Sequence, residues 1–383
     1  ETEWPFPQSE SALISVAQGL LPPDMDGGTY GWFGGVLVPD GRVLAIAHTA
    51  SHFLLFDPVS RMSTTFGPDL HAELLPDGVT WRRFYAGGVL HPNGKVYVFP
   101  YHAHRILEVD VAAGTMNPVG PHLSLMDGGF PNYVGGVVDR FGYVWTVSEA
   151  STESMPPVRF DPQSGAAAQF VAPPGFSHWG GWWGMARLPD DTLLAFPKEF
   201  FSASKAPLSP HILTVTVAPD PNSVSFDVVK GFDVSDPGTG FPVQGGSLSW
   251  HGAVCGTAAA SETRFVCVTS NAAGRQATMH PGPALASAWG FNGTFGDGRV
   301  WVTPDADSRM PRMDGNGNFS VIQVTTPGRY AYLGLVATPQ GMVLIPGVPG
   351  SQFAIVQPGA ATVGGVYDQR PMSVLLSPYF NKL

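Results

Sequence analysis

The chain repeats itself. YGWFGGVLVPDGRVLAIAH at 30–48, FYAGGVLHPNGKVYVFPYH at 84–102 and NYVGGVVDRFGYVWTVSE at 132–149 share one pattern, which WWGMARLPDDTLLAFPK at 182–198 and YLGLVATPQGMVLIPG at 332–347 continue. Looser copies start at Trp250 and Trp289, which makes seven. The anchor is an aromatic residue followed two places later by glycine: Trp32/Gly34, Tyr85/Gly87, Tyr133/Gly135, Trp182/Gly184, Trp250/Gly252 and Tyr332/Gly334. Trp289 keeps the aromatic but has Phe291 in place of the glycine. The mean period is about 50 residues, a length that holds one small sheet rather than a domain.

Each copy reads as strand, tight turn, strand, loop, strand. Asp40-Gly41, Asn93-Gly94 and Asp297-Gly298 are pairs that favour two-residue hairpin turns. KVYVF and YVWTV are rich in β-branched and aromatic residues, as strands are. The third strands end in FDPVS at 56–60 and FDPQSG at 160–165, where Asp-Pro opens the next turn. The 47 glycines and 37 prolines suit many short strands joined by turns. Helical periodicity is absent apart from SALISVAQGL. Seven such units predict an all-β chain, a seven-bladed β-propeller of four-stranded antiparallel blades. Residues 1–28 form an N-terminal extension, and 29–383 the propeller.

On NGKVYVF at 93–99, DGRVWVT at 297–303 and the FDP turns, the copies resemble kelch repeats and, more loosely, streptogramin-lyase and NHL repeats. The resemblance implies the propeller fold and no activity. Kelch repeats carry a glycine pair right after the second strand, where FPY and IAH stand here. The glycine pairs of this chain, at 34–35, 87–88 and 135–136, fall in the first strand. Propeller lyases and lactonases keep His, Glu or Asn on their inner strands, where this chain has mostly Gly, Val, Leu and aromatic residues. The repeat style also resembles that of secreted microbial proteins.

The net charge of −10, with no basic stripe to offset it, excludes a general nucleic-acid or anionic-membrane binder. No apolar run approaches the roughly 18 residues of a membrane helix. Glu1–Ser11 reads as the start of a processed chain. Asn292 and Asn318 head N-glycosylation acceptor tripeptides. Cys255 and Cys267 occupy facing strands around a polar loop, a placement that suits a disulfide in a secreted protein. The predicted setting is extracellular.

Register assigns chemistry to one face. The residue seven places after the turn glycine is His48, Tyr101, Glu149, Lys198, Ser270, Asp305 and Val348 in successive copies. Arg83, His178 and Trp179 lie in the connections between copies, and His52, His102, His104 and Asp307 in the loops beside the row. His48 and Glu149 are the candidate acid–base pair. Tyr101, His102, His104, Lys198, Arg83, Trp179 and Trp182 are candidates for a ligand face. Solvated loops are polar by default, so a purely structural row is the competing reading. Asp305, Asp307 and Asp314, in PDADSRMPRMDGNGNFS, are candidate calcium ligands, although DGNGN is also a good hairpin turn. No other cofactor is expected.

These features favour a secreted, glycosylated structural or recognition module over an enzyme. Its partners would be copies of itself or extracellular protein or glycan. The alternatives are a lyase or hydrolase acting on a sugar or lactone, and a lectin that stacks sugars on Trp179, Trp182 and Tyr101. ETEWPFPQSESALISVAQGLLPPD and PMSVLLSPYFNKL both offer a strand to close the ring, and the unused one is free to link subunits into a fibre.

Overall fold

The structure is a computed structural model. It describes residues 14–16, 31–70, 83–123, 132–149, 155–171, 173, 181–197, 211–229, 243–248, 252–258, 264–271, 274–282, 292–294, 300–303, 309–314, 317–324, 331–347 and 351–356. They form seven four-stranded antiparallel sheets. The innermost strands, Trp32–Leu37, Tyr85–Leu90, Tyr133–Val138, Trp182–Arg187, Val243–Leu248, Asn292–Thr294 and Tyr332–Thr338, contact one another in that order, and the seventh contacts the first. The chain is a seven-bladed β-propeller.

The ring closes through the N-terminal strand. Ile14–Val16 is the outermost strand of the seventh blade, with Ile14 opposite Val356 and Val16 opposite Ala354. SALISVAQGL therefore holds a strand where its spacing hinted at a helix. The C-terminal candidate, PMSVLLSPYFNKL, lies outside the described residues. Phe56 of blade one stacks on Phe353 of blade seven, with ring centroids 4.4 Å apart and planes 4° from parallel. Apolar faces of neighbouring sheets make the core, and one buried cluster spans blades seven, one and two.

The aromatic–Gly anchor is a β-bulge. Register slips between Tyr85 and Gly88, and likewise at Trp32/Gly35, Tyr133/Gly136 and Trp182/Met185. The glycine inside each bulge has positive φ, +75° at Gly87. The aromatics fill the blade interfaces, and Trp32, Tyr85, Tyr133 and Trp182 are almost fully buried.

Blade five departs from the predicted alignment. Its inner strand is Val243–Leu248, and the bulge falls at Gly245-Gly246, between Gln244 and Ser247. Trp250/Gly252 is therefore not its anchor. Gln244 takes the aromatic place, which hid the strand, although Gly246 keeps the place of Gly34 and Gly87. The first hairpin turns are also longer than predicted. Val38 and Arg42 pair across Pro39-Asp40-Gly41, a three-residue loop with Gly41 at φ +88°. The Asp-Pro motif closes the third-to-fourth-strand turn, where Asp57 accepts from the Val59 N–H at 2.9 Å and from the Ser60 hydroxyl at 2.7 Å. Cys255 and Cys267 face each other on the second and third strands of blade five and form a disulfide.

Candidate functional site

Loops between second and third strands share one face with the connections between blades, and a row of backbone hydrogen bonds links them around the axis. The His48 N–H donates to Gly31 O at 2.9 Å, and Phe84 N–H to His48 O at 2.6 Å. Tyr101 N–H then donates to Phe84 O, Asn132 N–H to Tyr101 O, and Glu149 N–H to Asn132 O. These bonds fix three predicted positions side by side. The Tyr101 hydroxyl donates to Glu149 Oε1, and the His48 and Tyr101 rings meet edge-on with centroids 5.0 Å apart. Tyr101 therefore links the two acid–base candidates. The Arg83 guanidinium lies 5.9 Å from the Tyr101 ring centroid.

All three side chains are buried, which decides their chemistry. His48 Nδ1–H donates to the Tyr85 carbonyl at 2.6 Å, which leaves Nε2 as the unprotonated nitrogen of the neutral ring. Burial holds its pKa at about 3, with Arg83 and His102 adding repulsion. Such an imidazole is a weak base near neutral pH and a poor proton acceptor for catalysis. Burial, and then the Glu149 carboxylate, push the Tyr101 hydroxyl above its ordinary range, so it remains a donor.

His48 also makes stability depend on pH. Its folded pKa is below the unfolded value of about 6.5, so the contribution is complete above pH about 6.5 and is lost as pH falls towards 3. The unfolding free energy should fall between pH about 7 and about 4, by a few kcal/mol in order of magnitude. In His48→Phe, which keeps a ring against Phe33 and Tyr101, that slope should flatten; an unchanged slope would remove His48 as its source.

An apolar cluster gathers about the axis on this side. Phe33, Ala86, Val134, Trp183 and Leu333, each one place after an anchor, form a buried cluster with Tyr101. Sequence reasoning passed over these positions; their signal was the apolar residue inside every aromatic–x–Gly anchor. Trp182 is 1% exposed within the blade interface, so neither of its faces is open to a sugar, and Tyr101 is buried. That removes two of the three stacking platforms of the lectin reading. The third, Trp179, lies outside the described residues, as do Lys198, Asp305 and Asp307.

Three other positions move. Ser270 sits at the opposite end of the blades, where its hydroxyl donates to Asp190 Oδ2 at 2.6 Å in the blade-four turn. In blade seven Gly347, not Val348, matches Tyr101, because Tyr332 pairs with Pro346 as Tyr85 pairs with Pro100 across a shorter turn. Asp314 closes its hairpin, accepting from the Asn318 N–H at 2.9 Å and from its side-chain amide at 3.1 Å. The strand Arg309–Met313 separates this turn from the segment holding Asp305 and Asp307. Asn318 is exposed, and Asn292 opens the innermost strand of blade six.

His102 and His104 lie beside the row and line a cleft of about 350 Å³ above blade two. Arg105 and His122, which the sequence reading did not single out, complete its polar rim. His102 Nδ1 accepts from the Arg83 N–H at 3.2 Å, and the His104 and His122 rings stack at 4.3 Å. Among the described residues no group of three or more His, Cys, Asp or Glu is arranged to hold a metal ion.

No family profile matches the chain, and neither does any curated protein sequence. Solved structures do. Virginiamycin B lyase from Staphylococcus aureus superposes with a TM-score of 0.66 at 12% identity, covering 91% of this chain and 99% of its own. A streptogramin B lyase gives 0.65 at 12% identity over 90% and 97%. The extracellular domain of a hybrid two component system from B. thetaiotaomicron gives 0.62 at 10% identity, over 91% of this chain and 43% of that one. At this identity the likeness establishes the propeller fold and agrees with the streptogramin-lyase-like repeats. Among the described residues no helix is long and apolar enough to cross a membrane.

Proposed function

We propose that the chain is an extracellular recognition propeller. Its working surface is the face that carries His48, Tyr101 and Glu149, and that row is scaffolding rather than a reaction centre. The observation that carries this is the engagement of the row: His48 Nδ1–H is held by Tyr85 O with a pKa of about 3, and the Tyr101 hydroxyl by Glu149, beside an apolar cluster. A rigid, internally satisfied platform holds the loops above it in place. The disulfide and the extracellular-domain neighbour support the location. Exposed Asn318 is the better placed of the two glycan acceptors.

The lyase neighbours make catalysis the reading to test against. The purified chain should bind members of a panel of extracellular glycans and sugar acids, and should leave virginiamycin B and gluconolactone intact. Turnover of either compound, lost in Glu149→Gln with folding unchanged, would replace recognition by catalysis.

A further inference from the structure

The cleft above blade two has a chemistry unlike that of the rest of the molecule. The chain carries a net charge of −10, yet among the described residues no carboxylate lines this cleft. Its rim has three imidazoles, His102, His104 and His122, and the Arg105 guanidinium, over a floor of Phe84 and Tyr85. Phe84 and Tyr85 are 1% and 2% exposed, so the floor is a packed part of the blade interface. Backbone bonds fix the rim as well. The Leu123 N–H donates to His104 O at 2.6 Å, tying the connection that carries His122 to the loop that carries His104. His102 accepts the Arg83 N–H at Nδ1, which places the neutral ring's proton on Nε2, as a donor.

We propose that this cleft binds a small carboxylate with a single six-membered ring, a uronic acid or an aromatic acid. The proposal rests on the recognition reading of this face. A volume of about 350 Å³ is at the small end of ligand sites and suits one ring better than an oligosaccharide or a peptide. Guanidinium is the side chain that best matches a carboxylate, through two parallel N–H donors. The stacked imidazoles of His104 and His122 offer ring surface to the body of the ligand. A phosphate-sized inorganic anion would leave most of that volume unfilled.

The test is calorimetric titration of the full chain with galacturonate and benzoate, each against a neutral counterpart, galactose and benzamide. At least one acid should bind, at least tenfold more tightly than its counterpart. Arg105→Gln should weaken it at least tenfold and His122→Ala several-fold. Arg105 and His122 are exposed, so thermal melting should not move. Which acid binds distinguishes a sugar from an aromatic source. Binding of neither acid overturns the proposal, as do equal affinity for the neutral counterparts and an Arg105→Gln chain that binds like the parent. Glycan-panel binding that survives Arg105→Gln sinks this assignment alone. Turnover of virginiamycin B sinks the recognition reading, while acid binding can still be measured separately.

Discussion

Deleting residues 1–17 should destabilise the propeller by about 2–4 kcal/mol and make it self-associate, because the deletion removes the strand that closes the ring. Ile14–Val16 forms three register pairs with Ala354–Val356, the last described strand of the chain. A ladder hydrogen bond contributes about 1 kcal/mol net, and the bared edge of Ala354–Val356 would present unpaired N–H and C=O groups to any extended segment. Chemical denaturation checks the stability, and native mass spectrometry the association. A synthetic peptide of residues 9–19 should restore the melting transition in trans by adding back as a strand. A truncated chain that melts like the parent would refute closure by this strand. With Ile14–Val16 in the outermost place of blade seven, truncation from the N-terminus becomes a test of blade integrity. Fibre formation is better tested by ending the chain at residue 356, since PMSVLLSPYFNKL is the other candidate strand.

The propeller was legible in the sequence because its signal recurs seven times. An aromatic, a bulge glycine, a turn and a β-branched strand each carry little alone, but a period near 50 admits few other architectures. The row of His48, Tyr101 and Glu149 was legible for the same reason, since blade register turns sequence offset into position around the axis. Register misplaces residues where one copy changes its turn length or loses its anchor. Gln244 replaced the aromatic of blade five and displaced Ser270 to the wrong face, and a shorter turn moved the blade-seven match from Val348 to Gly347. Burial was not legible at all. Nothing local to Trp182 or His48 tells a ring open to a ligand from one sealed between sheets, because the neighbouring blade that seals it is about 50 residues away in sequence. The cleft at Arg105 and His122 escaped notice likewise. Its rim joins the loop that carries His102 and His104 to a connection beyond the outermost strand of the same blade, and no repeated motif marks it.

Gly87→Ala should cost about 2–4 kcal/mol, more than Gly94→Ala at a glycine of nearly the same backbone conformation. Both have positive φ, +75° and +84°, so both substitutions bear the left-handed penalty of about 1–2 kcal/mol. They differ in surroundings. A Cβ on Gly94 would meet nothing within 4 Å, whereas one on Gly87 would come within 3.2 Å of both Cα and N of Gly135. The approach repeats around the axis: Gly34 faces Gly87, Gly135 faces Gly184, and Gly334 faces Gly34. The anchor glycines therefore pack backbone against backbone, which is a stricter demand than room for a neighbouring aromatic ring. Main chain on both sides cannot move aside as a flexible side chain would. The same bulge aims Ala86 into the apolar cluster and sets the Tyr85 carbonyl that accepts from His48. Urea denaturation of the two variants measures the difference, and equal losses would remove the close approach as its cause.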